Sequence, residues 1–274
     1  MAFIGELLIF IKKYDIIYIE SKKRKELVKT MLPGIYDAFQ HWGEQTVWIY
    51  SDPHFSDEDL EYGIKNRPSD EEQIRRINAK AGRKDTLIIL GDVGNIECVR
   101  KLRAGRKVLI CGNHDLGATR YKREVVKRIF DRDIHPDKTE IRSIMEQEFP
   151  GWSIRIEEEY DFHCPFERWI AYADNMLFDE VYEGALIVGE KLILSHEPVE
   201  IPWLYNIHGH DHAGKKRKNH LNVCSDVIGY EPVNLTQKLK SGLMSAITTI
   251  HRATIDSATE RKAKRGGKKI NGRT

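Results

Sequence analysis

Short apolar runs alternate with amphipathic segments in the first half of this chain. Three runs are apolar at successive positions, as expected of parallel strands buried on both faces: 47–50, 87–90 and 108–111. Apolar residues at helical spacing predict a helix over 70–81, with Ser69 and Glu72 forming a capping box, and a shorter helix over 96–103. The strand–helix–strand order predicts βαβ units and an α/β fold.

The second half of the sequence repeats the strand pattern after an interval that is harder to interpret. Residues 186–188 and 192–194 flank Gly189-Glu190 and predict a hairpin, and further strands are predicted at 204–207 and 221–224. Within the interval, the apolar spacing predicts helices near 125–130 and 141–149 and a strand near 154–156.

These patterns divide the chain into three regions. We predict an N-terminal extension over residues 1–45, with a strand at 14–19. The main domain follows over residues 46–255 and contains an insertion at about 118–184. Residues 256–274 are polar and rich in glycine and basic residues, so they are predicted to be a disordered basic tail.

Charge and composition narrow the class of protein. The 274 residues carry a formal charge of +2, yet residues 260–274 alone carry seven Lys and Arg against one Glu. No run approaches the roughly 20 apolar residues of a membrane span, so we expect no membrane partner. The four cysteines are widely separated, which argues against disulfide and zinc-knuckle frameworks and favours a reducing, cytoplasmic setting.

Metal-binding residue types follow almost every predicted strand of the main domain. They occur in five short runs: Asp52-Pro53-His54, Gly91-Asp92, Gly112-Asn113-His114-Asp115, Ser195-His196 and Gly209-His210-Asp211-His212. Carboxylate, imidazole and amide groups are ligands of borderline divalent metals. Because ligands gather beyond the carboxyl ends of strands in open α/β sheets, the runs predict one site that the fold assembles.

This ordered set resembles the calcineurin-like metallophosphoesterase superfamily over roughly residues 46–235, apart from the insertion. The small prokaryotic and phage-type hydrolases of that family are the most similar. They share the Ser-Asp-x-His-Phe opening seen at 51–55, the Leu-Gly-Asp element at 90–92 and a late Leu-Asn-Val strand. The resemblance implies a four-layer αββα sandwich with a dinuclear metal site at one edge.

The resemblance also assigns ligands to two divalent metal ions. Asp52, His54 and His212 would hold the first ion, and Asn113, His196 and His210 the second. Asp92 would bridge both, since its two oxygens can reach two cations. Manganese, iron, zinc and nickel all suit such a set of nitrogen and oxygen donors, and manganese is favoured.

The same resemblance predicts how the site acts on a phosphate ester. A hydroxide bridging the two ions, about 3.5–4 Å apart, would attack phosphorus in line. His114 would hydrogen-bond the phosphate and protonate the leaving oxygen, while Asp115 would orient the His114 ring and raise its pKa. Arg67 lies where relatives often have Arg-Pro, and it is predicted either to bind phosphate or to be a loop arginine.

Two departures bear on the substrate. Close relatives often continue the first motif as Phe-Gly-His, whereas this chain has Phe55-Ser56-Asp57, so a group at the outside of the site has changed. The second motif continues as Val93-Gly94-Asn95 and lacks the Val-Asp-Arg-Gly sequence of Ser/Thr protein phosphatases, which disfavours protein dephosphorylation.

The sequence is compatible with three functions. The first is a dinuclear phosphoesterase that hydrolyses a phosphomonoester or a phosphodiester. The second is a nuclease that uses the same centre, with the basic tail as an electrostatic contact to nucleic acid. The third is a non-catalytic metal-binding scaffold, which has no need of the complete ligand set. The oligomeric state stays open.

Overall fold

The computed structural model describes residues 16–18, 46–115, 117–159, 168–189, 191–248 and 250–270. The strands are β1 (Ile16–Tyr18), β2 (Val47–Tyr50), β3 (Thr86–Ile89), β4 (Arg106–Ile110), β5 (Val125–Asp131), β6 (Ser153–Glu159), β7 (Arg168–Asp174), β8 (Glu180–Tyr182), β9 (Leu186–Val188), β10 (Leu192–Leu194), β11 (Tyr205–His208), β12 (His220–Asn222) and β13 (Val233–Asn234). The helices are α1 (Glu58–Gly63), α2 (Asp70–Lys80), α3 (Ile96–Arg100), α4 (Lys138–Glu148), α5 (Leu235–Lys240) and α6 (Ile250–Ile270), with a 3₁₀ helix at Ala118–Tyr121.

The chain forms two compact units. The smaller comprises Met1–Leu27 and Arg123–Met176, and the larger comprises Val28–Lys122 and Leu177–Thr274. The strands predicted to carry metal ligands all belong to the larger unit. This arrangement confirms the α/β class expected from the alternating strand and helix patterns.

A five-stranded sheet in the order β13-β2-β3-β4-β8 forms the centre of the larger unit. Strands β2, β3, β4 and β8 run parallel, and β13 is antiparallel to β2. Successive side chains face different cores: Leu87 and Ile89 pack with helices α2 and α3, whereas Ile88 and Leu90 pack toward the second sheet. Burial on both faces explains why these strands read as continuous apolar runs.

The second sheet of the larger unit has the order β12-β11-β10-β9. Strands β10, β11 and β12 are parallel, and β9 pairs antiparallel with β10, which confirms the predicted hairpin. Leu194, Ile207 and Val223 from this part of the chain share one apolar cluster with Ile88 and Leu90. The larger unit therefore has a helix–sheet–sheet arrangement.

The smaller unit contains an antiparallel sheet in the order β1-β5-β7-β6, with α4 on one face. The helix near 141–149 and the strand near 154–156 are confirmed as α4 and β6. The helix predicted near 125–130 is wrong, because these residues form strand β5. Of the strand predicted at 14–19, residues 16–18 are confirmed as β1 and the others lie outside the described residues.

Two predicted boundaries need correction. The inserted unit spans Arg123–Met176 rather than 118–184, because β8 pairs with β4 in the central sheet of the larger unit. The tail prediction also fails over most of its length, since residues 250–270 form helix α6. The predicted N-terminal extension lies outside the described residues except for β1. Within the described parts of the chain, no helix has the length and apolar character needed to cross a membrane.

Candidate metal centre

The predicted ligands come together at the carboxyl ends of strands from both sheets of the larger unit. Asp52 lies just after β2, Asp92 after β3, Asn113 after β4, His196 after β10, and His210 and His212 after β11. The first two motifs lie side by side, since the Asp52 N–H donates to the Gly91 carbonyl at 3.1 Å and the His54 N–H to the Asp92 carbonyl at 3.0 Å. The convergence that the sequence predicts is present.

Four of these residues have an uncommon backbone conformation. Asp52, His54, Asp92 and His210 have φ values of 56°, 42°, 52° and 62°, in the left-handed region that non-glycine residues seldom occupy. Such conformations cost on the order of 1–3 kcal/mol each and cluster at functional sites. Here the strained turns direct the side chains of successive strand ends toward one centre.

Asp52, His54 and His212 form the first group of potential ligands. One donor atom from each lies within 4.8 Å of the others, and the His212 Nε2 atom is 3.8 Å from Asp52 Oδ1. Asp52 is fully buried, and both of its carboxylate oxygens accept the backbone N–H of His210, at 3.1 and 2.9 Å. This bond fixes the distance between the first and the last motif.

Asp92, His196 and His210 form the second group, again with donor atoms within 4.8 Å. The His196 Nε2 atom lies 2.8 Å from Asn113 Oδ1, 3.1 Å from His210 Nδ1 and 3.3 Å from Asp92 Oδ2. Two imidazoles, an amide oxygen and a carboxylate therefore face one point.

Asp92 lies between the two groups. Its Oδ2 atom is 3.3 Å from Nε2 of His196 in the second group and 3.5 Å from Nε2 of His54 in the first. Its Oδ1 atom accepts the His114 backbone N–H at 2.9 Å. Burial opposes ionisation of Asp92, but the His196 ring and the His114 N–H hold its pKa below the usual value. Asp92 is thus the carboxylate that both groups share.

The donor atoms suit a pair of cations. Among the described residues, Nε2 of His54 is buried and has no hydrogen-bond partner, a costly condition for a polar atom that a metal bond would relieve. The pKa of His196 also indicates a negative field. Burial lowers this pKa, yet Asp92 and Asp52 outweigh burial and raise it to about 8. Carboxylates that hold a proton on His196 would equally attract a metal ion.

In three of the proposed ligands, His54, His196 and His212, the second ring nitrogen is also held in place. Nδ1 of His54 lies 3.2 Å from Asp57 Oδ2, Nδ1 of His196 donates to the Leu90 carbonyl at 2.8 Å, and Nδ1 of His212 donates to Asp226 at 2.6 Å. A proton on Nδ1 leaves the Nε2 lone pair directed into the centre, which is the form that binds metal.

Asp226 is the functional residue that sequence reasoning missed. It accepts hydrogen bonds from His212, Arg67 and Tyr230. Burial raises its pKa, but these three partners dominate and hold the pKa at about 2. The sequence position of Asp226 could have indicated its role. Asp226 comes soon after the predicted strand at 221–224, just as Asp52 and Asp92 come soon after predicted strands.

Arg67 has a structural role in place of the proposed phosphate-binding one. Its side chain is 2% exposed. Nη1 donates to both oxygens of Asp226 at 2.8 Å, and Nη2 donates to the carbonyls of Pro53 and Asp52 at 2.7 and 3.3 Å. The two Nη atoms of Arg67 therefore hold Asp226 and the first motif together.

His114 and Asp115 are adjacent in sequence but have different surroundings. The His114 side chain is 66% exposed, with Nε2 4.0 Å from Asp92 Oδ2. Asp115 does not orient this ring as predicted, because its carboxylate accepts the backbone N–H groups of Asp92, Val93 and Gly112 at 2.8–3.0 Å. Asp115 thus ties the second motif to the third, and the His114 ring is largely exposed to solvent.

Asp226→Asn is expected to weaken metal binding about 10- to 100-fold, the usual cost of removing a carboxylate that supports a histidine ligand. A competition titration of Mn²⁺ against a fluorescent chelator measures this effect. Glu231→Gln is the matched control, because it removes the same charge from an exposed pair with Lys80. Equal Mn²⁺ affinity in wild type and Asp226→Asn, with an unchanged melting temperature, would contradict the role given to Asp226.

Gly209→Ala tests how closely the motifs approach each other. A Cβ atom at Gly209 would lie 1.9 Å from Ser51 Oγ and 2.2 Å from Asp52 Oδ2. We expect a loss of about 1–3 kcal/mol in the free energy of unfolding from overpacking, together with weaker metal binding. Denaturant titration measures the loss, and Gly184→Ala, where nothing lies within 4 Å, is the control. Similar losses in both variants would show that the site has no such constraint.

Comparisons with known proteins add little to this geometry. No protein-family model matches the chain, and no curated protein sequence is significantly similar to it. Among solved structures, it is similar to a protein of unknown function, AQ665, from Aquifex aeolicus. The two chains are 18% identical, with a TM-score of 0.41, over 72% of this chain and 98% of the other. These comparisons assign no function to the chain.

Proposed function

We propose that the protein is a dinuclear metal-dependent phosphoesterase. The observation that carries this proposal is Asp92, a buried carboxylate with one oxygen 3.3 Å from His196 and 3.5 Å from His54. Each of these histidines belongs to a separate group of potential ligands. Two metal positions that share one carboxylate form the kind of centre that catalyses displacement at phosphorus.

The order of the motifs supports the same proposal. The chain carries the ligand types of the calcineurin-like metallophosphoesterases in their sequence order, each after a strand. The helix–sheet–sheet arrangement is compatible with three layers of the αββα sandwich of that family, and the complete four-layer sandwich is part of the proposal.

The proposal assigns each donor to a metal ion. Asp52, His54 and His212 would hold one ion, Asn113, His196 and His210 the other, and Asp92 both. Mixed imidazole and oxygen donors suit manganese, iron, zinc or nickel, and we favour manganese. When bound, the two cations would polarise the phosphate oxygens and make water easier to ionise at neutral pH.

The protein's own residues supply orientation and a proton. Backbone N–H groups held by Asp115 keep the second and third motifs in register. His114 is anchored through its backbone on Asp92 and exposes its ring. An exposed imidazole at the edge of the centre is placed to hydrogen-bond a phosphate oxygen and to give a proton to the leaving oxygen.

The proposal is tested by a metal-supplemented screen on aryl phosphomonoesters, aryl phosphodiesters, nucleotides, and single- and double-stranded nucleic acids. We expect hydrolysis that requires Mn²⁺ or a related ion and is lost with a chelator. Stoichiometric binding of two metal ions without hydrolysis of any ester would instead favour the non-catalytic scaffold. The nuclease remains the second candidate, and a specific surface favours it.

A further inference from the structure

A run of four cations directly follows the last metal-binding motif. Residues 215–218 read Lys-Lys-Arg-Lys, three residues after His212 and just before β12. We call residues 213–219 the basic loop. Positive charge is therefore concentrated beside the last metal-binding motif as well as in residues 260–274.

The lysines of the basic loop are exposed and unneutralised. Lys215, Lys216 and Lys218 are each exposed to solvent. Within the described residues, none of the three is paired with a carboxylate, while Arg217 makes a 3.5 Å contact with Glu200. The acidic residue nearest in sequence, Asp211, is occupied by the backbone N–H groups of Ala213 and Lys215. These three positive charges thus face water and meet no acidic partner in the part of the chain that the structure describes.

The basic loop is attached to the candidate metal centre. Asp211, between the ligands His210 and His212, accepts the Lys215 N–H at 3.1 Å, and its carbonyl accepts Gly214 N–H and Asn222 Nδ2. Since β11 and β12 are parallel, the loop must run from the ligand-bearing edge of the sheet back to the opposite edge. Its cations therefore extend from the centre outward.

The basic loop leads away from the metal centre along the sheet. Its far end is fixed by the pairing of His220 with Asn206, two residues before the end of β11 at His208, which sets Lys218 back by roughly 7 Å or more at about 3.3 Å per strand residue. Successive phosphates of one strand of duplex DNA advance about 3.4 Å along the axis. A single phosphomonoester at the metal centre would leave the outer lysines without a partner, whereas a polymer of phosphates would meet several of them.

We propose that the basic loop binds the phosphate backbone of a nucleic acid on one side of the phosphodiester that is held at the metal centre. This inference depends on the proposed phosphoesterase function. Of the two candidate activities, it favours a nuclease over an enzyme for small phosphate esters. The loop contains no aromatic residue for base stacking, so recognition would be electrostatic and independent of sequence. The exposed cations Arg261, Lys262 and Lys264 of helix α6 add charge of the same sign.

The test compares two triple variants of the full chain, loaded with Mn²⁺. In the loop variant, Lys215, Lys216 and Lys218 are replaced by Ala. The control variant, Arg83→Ala, Lys84→Ala and Lys101→Ala, removes equal charge from exposed positions that precede β3 and β4. These control positions lie at the amino ends of the strands, opposite the ligand-bearing edge. Affinity is measured by fluorescence anisotropy with a labelled oligonucleotide whose phosphorothioate linkages resist hydrolysis.

The loop variant should bind the oligonucleotide about tenfold or more weakly at about 50 mM salt. The slope of log affinity against log salt concentration should decrease in magnitude by about 2 to 3, since each lost phosphate contact removes about 0.7–0.9 from this slope. The ratio of oligonucleotide cleavage to hydrolysis of bis(4-nitrophenyl) phosphate should fall to a similar extent. The control variant should match wild type in all three measurements.

Other outcomes separate the two proposals. Equal effects in the loop and control variants, or binding to anionic lipid vesicles in place of oligonucleotides, would overturn the inference about the loop. Hydrolysis of the aryl phosphodiester with no binding or cleavage of nucleic acid would also overturn it and leave the phosphoesterase function standing. Failure to hydrolyse any ester, with loop-dependent oligonucleotide binding retained, would overturn the phosphoesterase function and reduce the loop to a nucleic-acid contact.

Discussion

Asp92→Asn is expected to abolish metal-dependent hydrolysis of phosphate esters. The asparagine keeps the size of the side chain but removes the charge that both ligand groups share, and Oδ2 of Asp92 is the atom within 3.3–3.5 Å of His196 and His54. Both metal positions lose affinity at once, so excess metal should rescue activity poorly. Turnover with a nitrophenyl phosphate ester over a series of Mn²⁺ concentrations measures this effect.

Asp52→Asn provides the comparison for the bridging role. Asp52 belongs to only one of the two groups, so its loss should weaken one metal position and respond to added Mn²⁺ more than Asp92→Asn does. Turnover of Asp92→Asn close to wild type would refute the bridging role. Equal rescue of both variants by excess metal would make Asp92 an ordinary ligand of one ion.

His114→Ala is expected to lower turnover about 10²- to 10⁴-fold, the usual contribution of general acid catalysis, with metal content nearly intact. The side chain is 66% exposed, and its anchoring contact with Asp92 is made by the backbone N–H, which alanine retains. The loss should be largest for alkyl esters and smaller for nitrophenyl esters, whose leaving oxygen hardly needs a proton. Rates over a series of leaving groups, with metal analysis of each preparation, test this prediction.

Two results would change the assignment of His114. Loss of one metal ion together with activity would make His114 a ligand or a structural residue. An equal loss for good and poor leaving groups would leave it only a phosphate-binding role. His135→Ala is a suitable control, since His135 contacts Glu140 in the smaller unit.

The elements that carry the ligands could be predicted because their signals are local. Strands β2, β3 and β4 are largely buried and consist mainly of consecutive apolar residues, so their ends are easy to locate in the sequence. The rule that ligands gather at the carboxyl ends of such strands then predicts that Asp52, Asp92 and Asn113 converge. The convergence of His196, His210 and His212 with them follows from the second sheet by the same rule.

The smaller unit was harder to predict because its partners are distant in sequence. Apolar residues at 125, 126, 129 and 130 fit a helical spacing, yet they form β5, which pairs with β7 more than 40 residues later. Antiparallel pairing buries Val126 and Phe130 against α4 and overrides the local pattern. Periodicity alone does not separate a short strand from a buried helical segment.

The roles of Arg67 and Asp115 show a different limit of prediction from sequence. Sequence reasoning places both residues near the site correctly but cannot say which atoms they contact. The partner of Arg67, Asp226, lies 159 positions away, and Asp115 binds backbone groups rather than the neighbouring ring. A bond to a backbone group can form whatever the residue type that carries the group, so the sequence does not reveal it. Only the folded structure distinguishes a residue that supports the site from one that would contact a substrate.

The distribution of ligands along the chain has a consequence for biosynthesis. Asp52, His54, Asp92 and Asn113 precede the inserted unit, whereas His196, His210 and His212 follow it. During synthesis a ribosome must complete Arg123–Met176 and the second sheet before a full ligand set exists. Contacts of such long sequence separation form late and slowly. The proposed centre would therefore be complete only after the second sheet has been synthesised.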